Sequence, residues 1–207
     1  HVYAPAQLGP LLDAQMKLFC TGLEYEVVFH SVDTARNQIV YEDRSLTVST
    51  IPLDHRIDCC GYLFREKPTL PHIRRDMIDC YDIPLSQINN IKNGADWVTF
   101  DGETISNSLL TTPSVPPRAY DYCSDTRYMP SLAEQVKGVD VLYHEATYDS
   151  SCEARARLYY HSTAAQAAQV ARDAAVGKLV LGHFSARYDN ENGLLEEAQA
   201  IFPNSLL

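Results

Sequence analysis

From Arg118 to the end of the chain, short apolar runs alternate with segments of helical periodicity. An order of strand, helix, strand and helix implies right-handed crossovers and parallel pairing between successive strands. The first half differs, because its apolar residues recur at strand spacing with many β-branched side chains. We therefore expect one α/β domain over residues 1–207, with a strand-rich first half and a βαβα second half.

The strand-rich half contains three apolar runs and one strong turn signal. The runs at 25–32, 45–53 and 61–64 predict an antiparallel sheet. Residues 97–105 predict a hairpin, because their central Asp-Gly pair suits a turn that needs a positive φ. Between two prolines, residues 73–80 predict a short helix.

Two longer helices are expected in the second half. Ser162 or Thr163 can cap the first, which runs through an alanine-rich segment suited to close packing on a sheet. Gly177 is expected to take the left-handed position after its end. The second helix is amphipathic, covers residues 194–202 and stops at Pro203.

Four polar side chains stand where apolar runs end, namely His55, Asp125, Glu145 and His183. Such groups fit poorly inside buried strands, whereas the carboxyl ends of strands converge on the crevice where open sheets build their sites. Histidine and carboxylate are ligands of Zn²⁺ and similar ions, and an aspartate can bridge two of them. The pattern predicts a metal hydrolase, although each residue alone also fits a strand-end position with a local hydrogen bond.

Three further residues lie near these strand ends in the sequence, and each has a functional and a structural interpretation. His161 and Glu145 can form a proton-donating pair, since a carboxylate that orients an imidazole makes a general acid; His161 alone also fits a neighbour of a helix cap. Arg187 can hold a phosphate bidentately or be an ordinary surface arginine. His144 alternates to the opposite face from Glu145, which favours a structural role.

Composition restricts the setting and the partners. No apolar stretch approaches the roughly 18 residues needed to span a bilayer, so no membrane span is expected. The six cysteines have no CxxC spacing, and a chain with a full apolar core does not need disulfides, so we expect buried thiols in a reducing cytoplasm. The formal net charge of −10 argues against broad phosphate binding, so any nucleic acid must meet a local basic patch.

Four segments of the second half resemble, in order and spacing, the signatures of the ribonuclease Z family, the tRNA 3′-processing endonucleases of the metallo-β-lactamase superfamily. They are SDTRY at 124–128, HEATY at 144–148, YYHSTAAQAA at 159–168 and GHFSARY at 182–188. PLDH at 52–55 followed by GYLFRE, the opening VYAP and the closing FPNS are similar to further family segments. The likeness covers nearly the whole chain, and HEAT followed by HST is more specific than the ligands that the wider superfamily shares.

The resemblance implies a role for each site residue. It implies three metal ligands, with His55 on a first ion, Asp125 bridging two ions and His183 on the second. It implies that Glu145 and His161 protonate the departing 3′ oxygen and that Arg187 contacts a phosphate. The implied fold is a metallo-β-lactamase-like αββα sandwich, here incomplete at its N-terminal side.

The implied reaction removes the 3′ trailer from a tRNA precursor. A metal-bound hydroxide attacks the phosphodiester after the discriminator nucleotide and leaves a tRNA 3′-hydroxyl. The implied cofactors are two Zn²⁺ ions, with Mn²⁺ or another divalent ion also able to serve. A homodimer or other self-association is expected.

The sequence departs from the family pattern in two places. The HxHxDH signature, which supplies the remaining ligands, is absent, since no two histidines are separated by one residue. We therefore expect the C-terminal portion of a protein of roughly 300 residues, inactive by itself because its ligands are too few. The family's Gly-Pro arm, which grips tRNA, would fall near 83–86, where no Gly-Pro occurs; Arg74, Arg75 and Lys92 can still contribute contacts.

Two other functions stay open at this point. A different metallo-β-lactamase-fold hydrolase, acting on a small ester, amide or phosphodiester, would share the ligand set. Alternatively, a shortened natural chain would bind or regulate RNA without cutting it.

Overall fold

The computed structural model describes all residues from His1 to Leu207. They form two compact units, residues 1–65 with 118–207 and residues 66–117. The single domain that we expect over residues 1–207 stays a prediction. No helix is long and apolar enough to cross a membrane.

The chain contains short strands and helices in mixed order. The strands are β1 (Val2–Pro5), β2 (Phe29–Val32), β3 (Ile39–Glu42), β4 (Leu46–Pro52), β5 (Cys60–Glu66), β6 (His72–Ile73), β7 (Trp97–Val98), β8 (Thr104–Ile105), β9 (Thr111–Thr112), β10 (Ala119–Cys123), β11 (Val141–Glu145), β12 (Lys178–Gly182) and β13 (Ser205–Leu206). The α-helices are α1 (Leu8–Phe19), α2 (Arg75–Cys80), α3 (Leu85–Lys92), α4 (Asn107–Leu110), α5 (Leu132–Gln135), α6 (Glu153–Tyr159), α7 (Ala164–Asp173) and α8 (Asn192–Ile201).

A seven-stranded mixed sheet dominates the first unit, in the order β13-β12-β11-β10-β5-β4-β3. Strands β10, β11, β12 and β13 run parallel, which confirms the arrangement predicted from Arg118 onward. Strand β5 lies antiparallel to β10, and β3 lies antiparallel to β4. The parallel half thus meets the antiparallel half between β10 and β5.

The prediction that residues 25–32 join this antiparallel sheet is wrong. Only Phe29–Val32 forms a strand, and it pairs in parallel with β1, with Val2 opposite Phe29, in a separate two-stranded sheet. Helix α1 connects the two strands, and parallel neighbours need such a crossover of a dozen or more residues. Strand β3, which the sequence did not indicate, takes the edge of the large sheet instead.

The main core lies between one face of the large sheet and helices α5, α7 and α8. Leu142 and Leu179 from the sheet and Leu194 from α8 are almost fully buried there. Four alanines of α7 have no exposed surface, and their small side chains let this helix approach the sheet closely. The close packing expected of the alanine-rich segment is confirmed.

Helix α7 begins as predicted but ends differently. Thr163 accepts a hydrogen bond from the backbone N–H of Gln166, whose side chain accepts one from the Thr163 N–H, forming a capping box. The left-handed residue after the helix is Ala175, with φ 50°, and not Gly177. Gly177 is instead required by close approach, because a Cβ there would lie 2.7 Å from the Asp140 carbonyl oxygen.

The opposite face of the large sheet is aromatic and exposed. Phe64, Tyr120 and Tyr122 are each about 40% exposed, at 39%, 38% and 40%. Tyr122 stacks on Tyr143 of the neighbouring strand with ring centroids 4.6 Å apart. Alternation along each strand sends these rings away from the core face.

The second unit, residues 66–117, has its own small core. Ile83, Ile91, Ile105 and Leu110 are buried in it. The expected helix at 73–80 is present as α2, and the expected hairpin is present as β7 and β8, with Gly102 at φ 86°. Helix α3 was not predicted; it starts directly after a proline, a residue that suits a helix start.

All six cysteines are free thiols, but the expectation that they are buried is wrong for most of them. Cys123 is buried, whereas Cys20 and Cys80 are exposed. The two exposed thiols stand at the C-terminal ends of α1 and α2, two helices that contain no buried residue.

Candidate active site

The carboxyl ends of the three central parallel strands bring polar side chains together. Asp125 follows β10, Glu145 ends β11 and His183 follows β12, while His161 lies between α6 and α7. One potential ligand atom from each of these four residues lies within 4.8 Å of the others. The structure therefore brings together four of the six residues predicted from the sequence.

The chain turns sharply at two of these positions. Asp125 has φ 59° and His183 has φ 58°, in the left-handed region that residues other than glycine rarely adopt. Such a conformation costs about 1–2 kcal/mol per residue and persists where the surrounding structure imposes it, often at functional sites. Both turns direct a side chain across the ends of the strands, and His183 Nε2 lies 3.2 Å from Asp125 Oδ1.

The carboxylate of Glu145 is fully used by hydrogen bonds. Oε1 accepts from the Thr126 N–H at 2.6 Å and from His161 Nδ1 at 3.0 Å. Oε2 accepts from the Thr147 hydroxyl at 2.6 Å and from the Ser162 N–H at 3.0 Å. Because a carboxylate offers about four lone-pair positions, Glu145 has none left for a metal ion and is a partner of His161 rather than a ligand.

Burial and hydrogen bonding act against each other on this pair. Burial raises the pKa of the Glu145 carboxyl, but the hydrogen bonds from His161, Thr147 and the Ser162 N–H outweigh it, so the pKa ends below its usual value. The hydrogen bond to Glu145 raises the pKa of His161 against the opposite effect of burial. The pair therefore favours an ionised carboxylate beside an imidazole that holds its protons more firmly than a free histidine.

Thr147 determines which nitrogen of His183 carries the proton. Its Oγ lies 2.6 Å from Glu145 Oε2 and 2.9 Å from both His183 Nδ1 and the His183 carbonyl oxygen. The single hydroxyl hydrogen goes to the ionised carboxylate, which is the strongest acceptor of the three. His183 Nδ1 must then donate to Thr147 Oγ, and Nε2 is left with a free lone pair.

Asp125 Oδ1 and His183 Nε2 face each other across 3.2 Å. A carboxylate oxygen and an imidazole nitrogen in this arrangement repel unless a proton or a cation lies between them. Oxygen and nitrogen donors of these types suit Zn²⁺ and similar divalent ions. The donor set fits the metal chemistry that the sequence predicted for these two residues.

His55 lies beside this cluster but outside the group of four. Its ring centroid is 5.2 Å from that of His161, and its Nδ1 lies 3.0 Å from the Tyr160 carbonyl oxygen. Since a carbonyl only accepts, His55 Nδ1 donates and Nε2 is free to bind a metal ion, as is usual for ligating histidines. Its role as a ligand stays a prediction.

Arg187 and His144 take different places. The Arg187 guanidinium lies over the Tyr148 ring at 4.9 Å from its centroid, and its Nε donates to Ser185 Oγ. It is exposed, and its predicted phosphate contact stays a prediction. His144 is fully buried on the other face of β11, and burial lowers its pKa, which fits the structural role that its alternation favoured.

Several residues that shape the site were not singled out from the sequence. Arg127 bonds to Asp54 through Nε and Nη2, at 2.8 and 2.7 Å from Oδ2, and lies over the Tyr160 ring at 4.3 Å. Thr147 and Thr126 support Glu145. All five stand in the quoted motif segments within two residues of a predicted site residue, and that adjacency is the signal that would have pointed to them.

The chain is similar to known proteins in sequence and in fold, although no family model matches it. The chain is 55% identical over 207 residues to a protein of Bacteroides fragilis strain YCH46 named ribonuclease Z, and the match covers all of this chain and 68% of that protein.

Solved structures share the fold at low sequence identity. The metallo-β-lactamase fold protein YhfI from Bacillus subtilis matches with a TM-score of 0.56 and 14% identity, over 98% of this chain and 59% of its own. The short form of human tRNase Z matches with a TM-score of 0.59 and 20% identity, over 91% of this chain and 62% of its own. These neighbours and the mixed sheet confirm the predicted α/β, metallo-β-lactamase-like fold class.

Proposed function

Because the chain belongs to the ribonuclease Z family, we propose that it supplies part of a divalent-metal endonuclease site that removes the 3′ trailer from tRNA precursors. The observation that carries the proposal is the Glu145–His161 pair beside Asp125 and His183. Glu145 is saturated by donors and serves only to orient His161. Asp125 Oδ1 and His183 Nε2 face each other at 3.2 Å.

His161 is the proton donor in this proposal. Its Nδ1 is held by Glu145, so Nε2 points away from the carboxylate and is free to meet a substrate oxygen. The raised pKa keeps the second proton on the ring to a higher pH than in a free histidine. His161 then gives that proton to the 3′ oxygen that leaves the phosphorus, and Glu145 stabilises the imidazolium before transfer.

Asp125 and His183 would hold the metal, with His55 as a further ligand and Zn²⁺ as the proposed ion. A divalent ion there supplies activation of the attacking water and compensation of the charge on the phosphodiester. Arg187, with its guanidinium exposed above Tyr148, is proposed to hold a neighbouring phosphate. We place this activity in the cytoplasm and in a self-associating protein.

The 207-residue chain is proposed not to cleave by itself. His55, Asp125 and His183 are three ligands, and three cannot complete the coordination of two ions. Supplying the missing ligands in a fusion, with the unmatched third of a ribonuclease Z relative placed before this chain, should restore cleavage.

The experiment compares the chain and the fusion on a 3′-extended tRNA precursor with Zn²⁺ or Mn²⁺. We expect trailer release by the fusion and none by the chain alone. Asp125→Asn and His161→Ala in the fusion should each reduce the rate by about 100-fold or more. Asp189→Asn, which removes an equal charge from an exposed residue after the site, should leave the rate unchanged.

Three results would contradict the proposal. Trailer release at a normal rate by the chain alone would show that it is not limited by ligand number. A fusion that cleaves a small phosphodiester but leaves the tRNA precursor intact would favour another hydrolase of the same fold. Precursor binding without cleavage by the folded fusion would favour a regulatory role.

A further inference from the structure

Two cavities border His161, and their linings differ in chemistry. The smaller, of about 250 Å³, is lined by His55, Arg56, Tyr148, Leu158, Tyr159, Tyr160 and His161. The larger, of about 330 Å³, is lined by Arg127, Tyr128, Glu153, Arg157, His161 and Gln166. Because His161 lines both, anything bound in either cavity lies next to the proposed proton donor. We call the smaller one the tyrosine cavity.

Each tyrosine of the tyrosine cavity is paired with an arginine. Arg127 lies over the Tyr160 ring at 4.3 Å, Arg187 over Tyr148 at 4.9 Å and Arg155 over Tyr159 at 5.3 Å. A cation over one face of an aromatic ring leaves the other face or the edge for a second partner. The three pairs set positive charge around a lining of aromatic and aliphatic side chains.

The Arg127–Tyr160 pair forms the wall between the two cavities. Arg127 lines the larger cavity and Tyr160 the smaller, and Asp54 holds the guanidinium by two hydrogen-bonding distances of 2.7 and 2.8 Å. The Tyr160 carbonyl oxygen lies 3.0 Å from His55 Nδ1. The wall is therefore held from both sides and does not depend on a ligand.

The lining of the tyrosine cavity combines aromatic rings with positive charge. It contains three tyrosines, Arg56 and no carboxylate, whereas the larger cavity has one tyrosine and places Glu153 beside Arg127 and Arg157. The chain as a whole carries a formal net charge of −10, so this group of arginines is a local exception. Stacking surfaces combined with positive charge are the features by which proteins hold single-stranded nucleic acid.

We propose that the tyrosine cavity holds one unpaired nucleobase of the RNA, immediately beside the phosphate that is cut. The base stacks on Tyr159, whose ring has Arg155 at 5.3 Å from its centroid, and Arg56 meets the adjoining phosphate. Stacking does not depend on base identity, so the cavity positions the RNA without reading its sequence. This inference rests on the proposed function, because it takes RNA as the substrate of the site at His161.

The experiment places 2-aminopurine in a 3′-extended tRNA precursor, at the nucleotide on either side of the cleavage position in two separate RNAs. Binding to the chain with Zn²⁺ is followed by filter retention and fluorescence, and the samples are then run on a denaturing gel to detect cleavage. We expect one of the two labels to be quenched on binding, because stacking on an aromatic ring quenches this base.

Tyr159 is the residue to change, because at 52% exposure its substitution does not disturb the core. Tyr159→Leu should abolish the quenching and weaken binding about tenfold, whereas Tyr159→Phe should retain both. Tyr25→Leu, at a more exposed tyrosine in another segment (69%), should change neither.

The outcomes separate this inference from the proposed function. Binding of the precursor without quenching of either label, or quenching that persists in Tyr159→Leu, overturns the cavity assignment and leaves the endonuclease proposal standing. A precursor that does not bind the wild-type chain at all also overturns the cavity assignment, and cleavage by the fusion then decides the endonuclease proposal separately.

Discussion

Thr147 decides which nitrogen of His183 is available to a metal ion. Its hydroxyl gives its hydrogen to Glu145 and accepts from His183 Nδ1. Thr147→Val removes both bonds at nearly constant volume, so we expect the proton of His183 to move to Nε2. Nitrogen-15 NMR of the imidazole should show that change of tautomer, and Zn²⁺ affinity should fall about tenfold or more.

Thr147→Ser is the matched control, because it keeps the hydroxyl and removes one methyl group. We expect its imidazole spectrum and Zn²⁺ affinity to remain those of the wild type. If Thr147→Val kept the proton on Nδ1, another acceptor would have to orient His183, and Thr147 would not determine its tautomer.

Asp121 makes the stability of the chain depend on pH. Its side chain is completely buried, Oδ1 has no hydrogen-bond partner, and burial raises the pKa of the carboxyl to about 6 against the opposing bond from Cys123. Because the pKa is raised, the unfolded state ionises first as pH increases. The free energy of unfolding should therefore fall between pH 4 and pH 6 by about 3 kcal/mol and stay lower above it.

Asp121→Asn should remove that dependence, since asparagine does not ionise. Urea titrations at pH 4, 5, 6 and 7 measure it, with the exposed Asp189→Asn as a control for the lost charge. Of the two variants, only Asp121→Asn should show a smaller fall in the free energy of unfolding between pH 4 and pH 6. An unchanged fall in stability between pH 4 and pH 6 would place the responsible group elsewhere.

The sequence pointed to residues that lie together in the structure, but it did not point to the residues that hydrogen-bond to them or pack beside them. Glu145 and His161 were expected to pair, and they do so at 3.0 Å, because strand ends and a helix start converge on one edge. Thr147 and Arg127 were not singled out, because hydroxyl and guanidinium groups occur on most surfaces. Their importance appears only when the distances to Glu145 and Tyr160 are known.

At the end of helix α7, the glycine stands two residues after the left-handed position, which favours a glycine. Ala175 has φ 50°, and Gly177 lies against the Asp140 carbonyl oxygen. Ala175→Gly should stabilise the chain by about 1 kcal/mol by relieving the left-handed strain. Gly177→Ala should destabilise it by about 1–3 kcal/mol, because the added Cβ meets backbone that cannot move aside.

Thermal or urea unfolding of both variants measures the two effects, and the double variant should come close to their sum. Opposite signs are the expected result. Two destabilised variants would mean that Ala175 gains more from its side chain than it loses to strain. Stable Gly177→Ala protein would show that β11 and β12 can separate at that point.

Periodicity predicted the elements that have strong apolar patterns, but it did not specify the partner of every strand. The parallel strands β10 to β12 and helix α7 have strong apolar patterns, and they appeared where expected. Strand β2 was assigned to the wrong sheet, since an apolar run does not specify its neighbour. Strand β3 is mostly exposed, so it has little apolar signal to detect.

For the whole molecule, the exposed aromatic face of the large sheet favours self-association. On three adjacent strands, Phe64 pairs with Tyr120 and Tyr122 pairs with Tyr143, with ring centroids 5.9 and 4.6 Å apart. Large exposed apolar patches of this kind mark association surfaces. We expect the chain to associate with a second copy through this face, as light scattering and sedimentation would show.

The double variant Tyr120→Lys with Tyr122→Lys tests the assignment of this face. Two lysines there place like charges against each other across a symmetric contact, so the dissociation constant should rise about tenfold or more. Phe100→Lys is the control, because Phe100 is fully exposed but lies in the second unit. A wild-type chain that sediments as a monomer at high concentration would contradict self-association, and an associated double variant would move the contact to another surface.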